Sequence, residues 1–220
     1  MDSQSFKNSV KFLFFLLLVK PFIFFVLGIN ARDMDKLPKH GPAILVANHN
    51  SHIDTLLIMS LFPVSTIVKV HPVAAADYFC NTKLKSFIFK TLIGIIPIQR
   101  RVTKQSKEEM FKDINAALKN NEIVIIYPEG TRGEDNKIKD FKTGVAHIAK
   151  MNPEVPIIPM YINGPDKILP KIDAIIVPFI SDIYIAEPVY YDDTTTKDFT
   201  LKIKSIVENL YLTHRRKETL

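Results

Sequence analysis

Residues 43–55 read AILVANHNSHIDT, an apolar run that turns polar and then apolar again. Ala43 to Ala47 are apolar, with β-branched Ile44 and Val46, which predicts a short buried strand. The polar segment Asn48-His49-Asn50-Ser51-His52 closes it. From Ile53 the apolar residues return at Leu56, Leu57 and Met59, a helical spacing. Ser51 or Asn50 is the expected N-cap, and Asp54 falls in the first turn, where a carboxylate suits the helix dipole. His49 is therefore expected at the mouth of a strand, with Asp54 one loop and one helical turn later. A carboxylate in hydrogen-bond reach of an imidazole fixes the ring's tautomer and stabilises its protonated form, which makes the histidine a general base. Two other readings stand beside this one. An Asn/Ser-rich connection is ordinary loop chemistry, and His49, His52 and Asp54 resemble the ligand cluster of a metal-dependent hydrolase. Zinc hydrolases draw further ligands from elsewhere, and His40, His71, His147 and His214 lack ligand spacing. General base ranks above metal ligand, and neither a metal nor a cofactor is expected.

At 220 residues the chain is long enough for one domain with a full core. Its formal charge of +6 suits an anionic partner: a phosphate-bearing substrate, an acidic membrane surface or nucleic acid. The lone cysteine, Cys80, excludes an intramolecular disulfide framework and fits a reducing compartment.

Outward to the N-terminus, Phe12 to Val19 and Phe22 to Ile29 are apolar runs separated by Lys20-Pro21. No small-residue cleavage site follows, so the segment is expected to remain on the protein. Each run is only about 12 Å long as a helix, against a hydrocarbon core of about 30 Å. Joined, they would place Lys20 near the bilayer centre at roughly 3 kcal/mol, with a kink at Pro21. The expectation is a kinked hairpin or in-plane membrane anchor, with Lys7, Lys11 and Lys20 reaching the headgroups. Composition changes at Ala31, so residues 1–30 are expected to form the anchor and residues 31–220 the folded domain, entered through a charged linker at Arg32–Pro42.

Towards the C-terminus the pattern predicts a strand at Thr66–Val70 continuing through Val73–Ala76, a helix at Lys83–Leu92, and a strand at Ile95–Ile98 that Pro97 confines to an edge or a strand end. Ser106 and Glu109 form a capping box for a helix reaching Asn120. Ile123–Tyr127 is a strand, followed by the turn Pro128-Glu129-Gly130-Thr131-Arg132. A helix at Thr143–Met151, strands at Val155–Ile162, Ile172–Val177 and Ser181–Ile185, and a closing helix at Lys197–Arg216 complete the series. This alternation predicts an α/β layered domain with a largely parallel mixed sheet flanked by helices. Ligands gather at the carboxyl ends of strands in such folds, and His49, Arg100 and Glu129–Arg132 all fall at such ends.

In these blocks the chain resembles the lysophospholipid acyltransferase family, typified by the 1-acyl-glycerol-3-phosphate acyltransferases. Four ordered blocks carry the resemblance: the His-x4-Asp of His49 and Asp54; the segment Gly94-Ile95-Ile96-Pro97-Ile98-Gln99-Arg100; Pro128-Glu129-Gly130-Thr131-Arg132 with Phe141-Lys142-Thr143-Gly144; and Val155-Pro156-Ile157-Ile158-Pro159. The resemblance implies transfer of a fatty acyl group from acyl-CoA or acyl carrier protein to the hydroxyl of a lysophospholipid, at the cytoplasmic face of a membrane and with no nucleic-acid partner. His49 would be the general base and Asp54 its orienting partner. Arg100, Glu129, Gly130, Thr131 and Arg132 would hold the acceptor's glycerol phosphate, the guanidinium groups gripping phosphate in bidentate fashion and Gly130 letting the backbone approach. For Glu129 an ion pair with Arg132 is the alternative. Two departures bear on the acceptor, leaving open a different lysolipid: alanines at Ala74–Ala76 where the family often carries a lysine, and Gln99 where it usually has an acid.

Overall fold

The computed structural model describes residues 3–51, 53–79, 82–99, 106–133, 138–164 and 180–218. Within them the strands are β1 (Gly28–Arg32), β2 (Ala43–Ala47), β3 (Val70–Ala75), β4 (Ile96–Ile98), β5 (Ile123–Ile126), β6 (Ile157–Asn163) and β7 (Ile180–Ile185). The helices are α1 (Ser3–Phe14), α2 (Lys20–Phe25), α3 (Asp54–Ser60), α4 (Val64–Ile67), α5 (Ala76–Phe79), α6 (Lys83–Ile88), α7 (Lys107–Met110), α8 (Lys112–Lys119), α9 (Gly144–Met151) and α10 (Thr196–Glu218). The strands form one sheet in the order β1-β7-β6-β2-β5-β3-β4. All neighbours run parallel except β6 and β7, so the sheet is largely parallel and mixed, as the alternating pattern predicts.

β2 occupies the middle, between β5 and β6, and all five of its residues are buried. Its side chains alternate between two core layers. Ala43, Leu45 and Ala47 face a layer formed with α3, Ile67 and the N-terminal helix, whereas Ile44 and Val46 meet α8, α9 and α10. A strand covered on both faces must be apolar throughout, which is why AILVA shows no polar alternation.

The N-terminal segment is part of this architecture. α1 and α2 are joined by a π-helical turn, Phe15–Val19, in which the Lys20 N–H bonds to the Phe15 carbonyl five residues back. The wider turn accommodates Pro21, which lacks an N–H and would crowd the carbonyl four residues before it. The helix therefore runs on through Lys20-Pro21 where a kinked hairpin was one expectation. Phe15, Val19 and Ile23 lie along one side of it, buried in the first core layer. β1 then pairs with β7, Gly28 opposite Ile180 through Arg32 opposite Tyr184, so the expected boundary between residues 30 and 31 falls inside a strand of the sheet.

Lys11 differs from expectation too: it is 2% exposed and does not reach out to headgroups. Its Nζ donates to the Val70 carbonyl at 2.7 Å and the Val68 carbonyl at 3.5 Å. Burial lowers its pKa to about 7, against the pull of the Glu122 carboxylate. The Nζ lies so close to Gly94 that a β-carbon there would come within 2.6 Å of it, and Gly94 also holds a positive φ of 75°.

Two local expectations are corrected. Thr66 and Ile67 are helical, because Pro63 opens a turn whose carbonyl accepts the N–H groups of both, and the strand begins only at Val70. The helix through Asn120 is interrupted at Phe111, although Ser106 caps its start by accepting from the Glu109 N–H at 3.3 Å. The strand expected at Ile172–Val177 lies outside the described residues.

Candidate active site

β2 ends at Ala47, and the chain leaves the middle of the sheet through a loop fixed at several points. The Asn48 side chain continues the strand pairing, donating from Nδ2 to the Ile162 carbonyl at 2.9 Å and accepting from the Ile162 N–H at 2.8 Å. This places His49 at a fixed height above the sheet. The loop then turns around the Asp54 carboxylate. A single oxygen, Oδ2, accepts from the Asn50 N–H at 2.8 Å and the Ser51 N–H at 2.9 Å, and lies 2.9 Å from His49 Nδ1. Asp54 thus gathers the loop before α3. Neither Asn50 nor Ser51 caps that helix through its side chain; its N-cap is Ile53.

Asp54 is 1% exposed and the His49 side chain 19%, so the carboxylate is dry while the imidazole reaches the surface. Against a carboxylate that already receives two amides, the ring proton belongs on Nδ1, and Nε2 keeps its lone pair. The His49 ring stacks on Tyr127, centroids 4.2 Å apart and planes inclined by 21°. The Tyr127 hydroxyl lies 3.0 Å from Thr55 Oγ1, and burial together with the Asp54 charge raises its pKa, keeping it neutral. Tyr127 ends the apolar run of β5, a position the sequence marks only as strand, so its role as a platform emerges from the parallel register of β2 and β5.

Glu129 and Arg132 come to the same end of the sheet. Both Glu129 carboxylate oxygens are occupied by backbone amides: Oε1 accepts from the His49 N–H at 3.0 Å, and Oε2 from the Lys139 N–H at 3.3 Å. Burial raises its pKa, and the two amide bonds and nearby cations oppose that rise. Glu129 therefore ties the Pro128–Arg132 turn to the His49 loop, and among the described residues it makes no ion pair with Arg132. The Gly133 N–H closes the junction by donating to the His49 carbonyl at 2.6 Å. A β-carbon on Gly133 would come within 3.0 Å of Asn50 Oδ1 and 3.2 Å of Glu129 Oε2, a requirement the sequence reading missed.

Gly130 carries a positive φ of 72°, which the turn needs. Thr131 is exposed and Arg132 half-buried. The Arg132 carbonyl accepts from Lys139 Nζ at 2.9 Å, while no described residue bonds its guanidinium. Arg100 and His52 lie outside the described residues, and among those described no group of three or more His, Cys, Asp and Glu is placed to hold a metal ion.

Residues 28–163 match the family model described as Acyltransferase. Curated relatives include the chloroplastic 1-acyl-sn-glycerol-3-phosphate acyltransferase LPAT1 of Arabidopsis thaliana, 28% identical over 64% of this chain and 38% of that protein. Another is 1-acyl-sn-glycerol-3-phosphate acyltransferase alpha of Mus musculus, 27% identical over 71% of this chain and 52% of that protein. The chain thus spans about half or less of the length of these relatives. Among solved structures, the 1-acyl-sn-glycerophosphate acyltransferase PlsC of Thermotoga maritima superposes with a TM-score of 0.76, covering 98% of this chain and 84% of that one at 20% identity, a likeness of fold.

Proposed function

Because this chain belongs to the Acyltransferase family, we propose that it transfers a fatty acyl group from an acyl thioester to the free hydroxyl of a lysophospholipid, with 1-acyl-glycerol-3-phosphate as the acceptor. The observation that carries the reading is the 2.9 Å pairing of His49 Nδ1 with the dry Asp54 carboxylate, which leaves Nε2 as a base at the edge of solvent. His49 Nε2 takes the proton of the acceptor hydroxyl as its oxygen attacks the thioester carbonyl, and Asp54 stabilises the imidazolium that forms. When the tetrahedral intermediate collapses, the carbon–sulfur bond breaks and the imidazolium returns its proton to the departing thiolate. No residue of the chain is acylated, and neither a metal nor another cofactor takes part.

Arg132 holds the acceptor's phosphate, a role supported by its place in the turn that Gly133 ties to the His49 loop and by a guanidinium that no described residue bonds, and Arg100 is its proposed partner. Gly130 and Thr131 shape the turn that presents Arg132, whereas Glu129 positions the loop without touching substrate. The thioester comes from CoA or an acyl carrier protein. The enzyme works on the cytoplasmic face of a membrane, in phospholipid synthesis. It is held by the exposed side of the N-terminal helix, where Leu17 and Leu18 of the π-helical turn and Phe24 and Phe25 of α2 project away from the core. Gln4–Phe25 form a helix of 22 residues that contains an 18-residue window of mean hydropathy 1.7, long and apolar enough to cross a bilayer. One side of that helix is committed to the sheet, which favours an in-plane arrangement.

Purified protein incubated with acyl-CoA and a panel of lysophospholipids, read by mass spectrometry, tests the reaction. The expected product is phosphatidic acid, abolished in a folded His49→Ala variant. Near-normal turnover in that variant refutes the mechanism, and hydrolysis that a chelator stops would favour the metal-dependent reading.

A further inference from the structure

Exposed apolar surface is not confined to the N-terminal helix. In α6, Leu84 is 69% exposed, Phe87 58% and Ile88 38%. At spacings of three and four residues these side chains share one side of the helix, with Lys83 and Lys85 flanking the stripe at its two edges. α6 runs directly into the π-helical turn Phe89–Ile93, and that turn packs along α1. Among the described residues the apolar side of α6 is left largely open to solvent, which costs free energy. The local charge is one-sided: residues 82–99 carry Lys83, Lys85 and Lys90 and no Asp or Glu.

Topology fixes where this helix lies. β2 and β3 both run parallel to β5, so β3 ends at Ala75 on the same end of the sheet as His49. α5 and α6 follow at that end, and the π-helical turn leads back to β4. Ile93 packs on the core layer that also receives Phe15, Val19 and Ile23, so this crossover covers the same face as α1 and α2.

We propose that α6 is a second membrane-contact element, which inserts Leu84, Phe87 and Ile88 among the acyl chains of an anionic bilayer while Lys83, Lys85 and Lys90 meet headgroup phosphates. This rests on the reading of α1 and α2 as membrane-bound. Together the two elements make one apolar, basic-rimmed surface over a single face of the sheet, and α6 brings lipid to the end that carries His49. Both ingredients of interfacial binding are present: buried apolar area and attraction to anionic lipid. Exposed Leu201 and Leu212 lie instead on α10, across the sheet.

The chain contains no tryptophan, so a single introduced indole is a clean reporter. Full-length Phe87→Trp, Phe25→Trp and Leu201→Trp variants are titrated with phosphatidylcholine/phosphatidylglycerol vesicles, with and without brominated acyl chains. The expected result is a blue shift and bromine quenching for Phe87→Trp and Phe25→Trp, and neither for Leu201→Trp. Leu84→Ser with Phe87→Ser should weaken vesicle partitioning about ten- to a hundred-fold. Quenching of Phe25→Trp without quenching of Phe87→Trp overturns the role of α6 and leaves the N-terminal anchor standing. Absence of both removes the membrane reading itself. A blue shift of Phe87→Trp that grows with protein concentration and needs no vesicles shows instead that a second copy covers α6, and also overturns the proposal.

Discussion

Phe15 and Leu17 stand two residues apart in one apolar helix, yet the fold gives them opposite surroundings. Phe15 is fully buried against the sheet and meets Phe14 edge-on at 5.7 Å between ring centroids; Leu17 is 63% exposed. Phe15→Ala removes the whole ring from a closed layer that also holds Val19, Ile23 and Leu57. Such truncations cost about 3–5 kcal/mol, the lost transfer free energy plus the cavity left behind. For a chain of this size each kcal/mol moves the melting temperature by about 2–4 °C, so a fall of roughly 6–20 °C is expected. Leu17→Ser should change stability by no more than about 0.5 kcal/mol, while weakening vesicle binding about ten- to a hundred-fold. Thermal unfolding followed by circular dichroism in a mild detergent, with vesicle cosedimentation in parallel, separates the two effects. A Phe15→Ala protein that melts within a degree or two of the parent would refute the reasoning and return residues 1–30 to the status of a detachable anchor. The same argument predicts that deleting residues 1–30 yields an unfolded or aggregated chain, since it strips Phe15, Val19 and Ile23 from the core and cuts β1 in half.

Further outcomes follow from the site and from Lys11. Asp54→Asn should keep the loop, because one oxygen makes all three contacts and a carboxamide oxygen can stand in for it; losing the charge should lower kcat about 10²- to 10⁴-fold with KM little changed, as steady-state kinetics will show. Arg132→Ala should raise the acceptor KM about ten- to a hundred-fold with a smaller effect on kcat, and Arg132→Lys should restore only part of it; a rise confined to the donor KM would remove Arg132 from the acceptor site. Lys11 keeps its proton up to pH 10.5 in the unfolded chain but releases it near pH 7 when folded. Between those values the unfolded state binds more protons, so this residue makes stability rise with pH across that window. Any melting-temperature advantage of Lys11→Met over the parent should therefore be largest at pH 7 and shrink towards pH 10.

Several elements followed from local chemistry. The continuous apolar runs of β2 and β5, the Thr/Pro-bounded helices and the strand ends bearing His49 and Glu129 are set by residues close in sequence. His49 and Asp54 were legible for the same reason: five residues separate them, and one loop and one helical turn suffice to join them. Local reading failed where a neighbour overruled propensity. The β-branched Thr66 and Ile67 went into a helix because Pro63 set the preceding backbone, and Ser51 lost its capping role because the Asp54 carboxylate had already gathered the loop amides.

Periodicity and residues a few positions apart were enough for the α/β class, the pairing of His49 with Asp54 and the family. Only tertiary structure decided that Glu129 holds the His49 loop by a backbone bond spanning 80 residues, and that Tyr127 lies under the imidazole. It also decided that the apolar N-terminus is half core and half surface. An apolar helix reads the same from every side; which side chains are buried depends on where the sheet lies, and that position is set by strands far along the chain. Lys11 is the sharpest case, a charge in a membrane-like segment whose partners, the carbonyls of Val68 and Val70, lie more than fifty residues away.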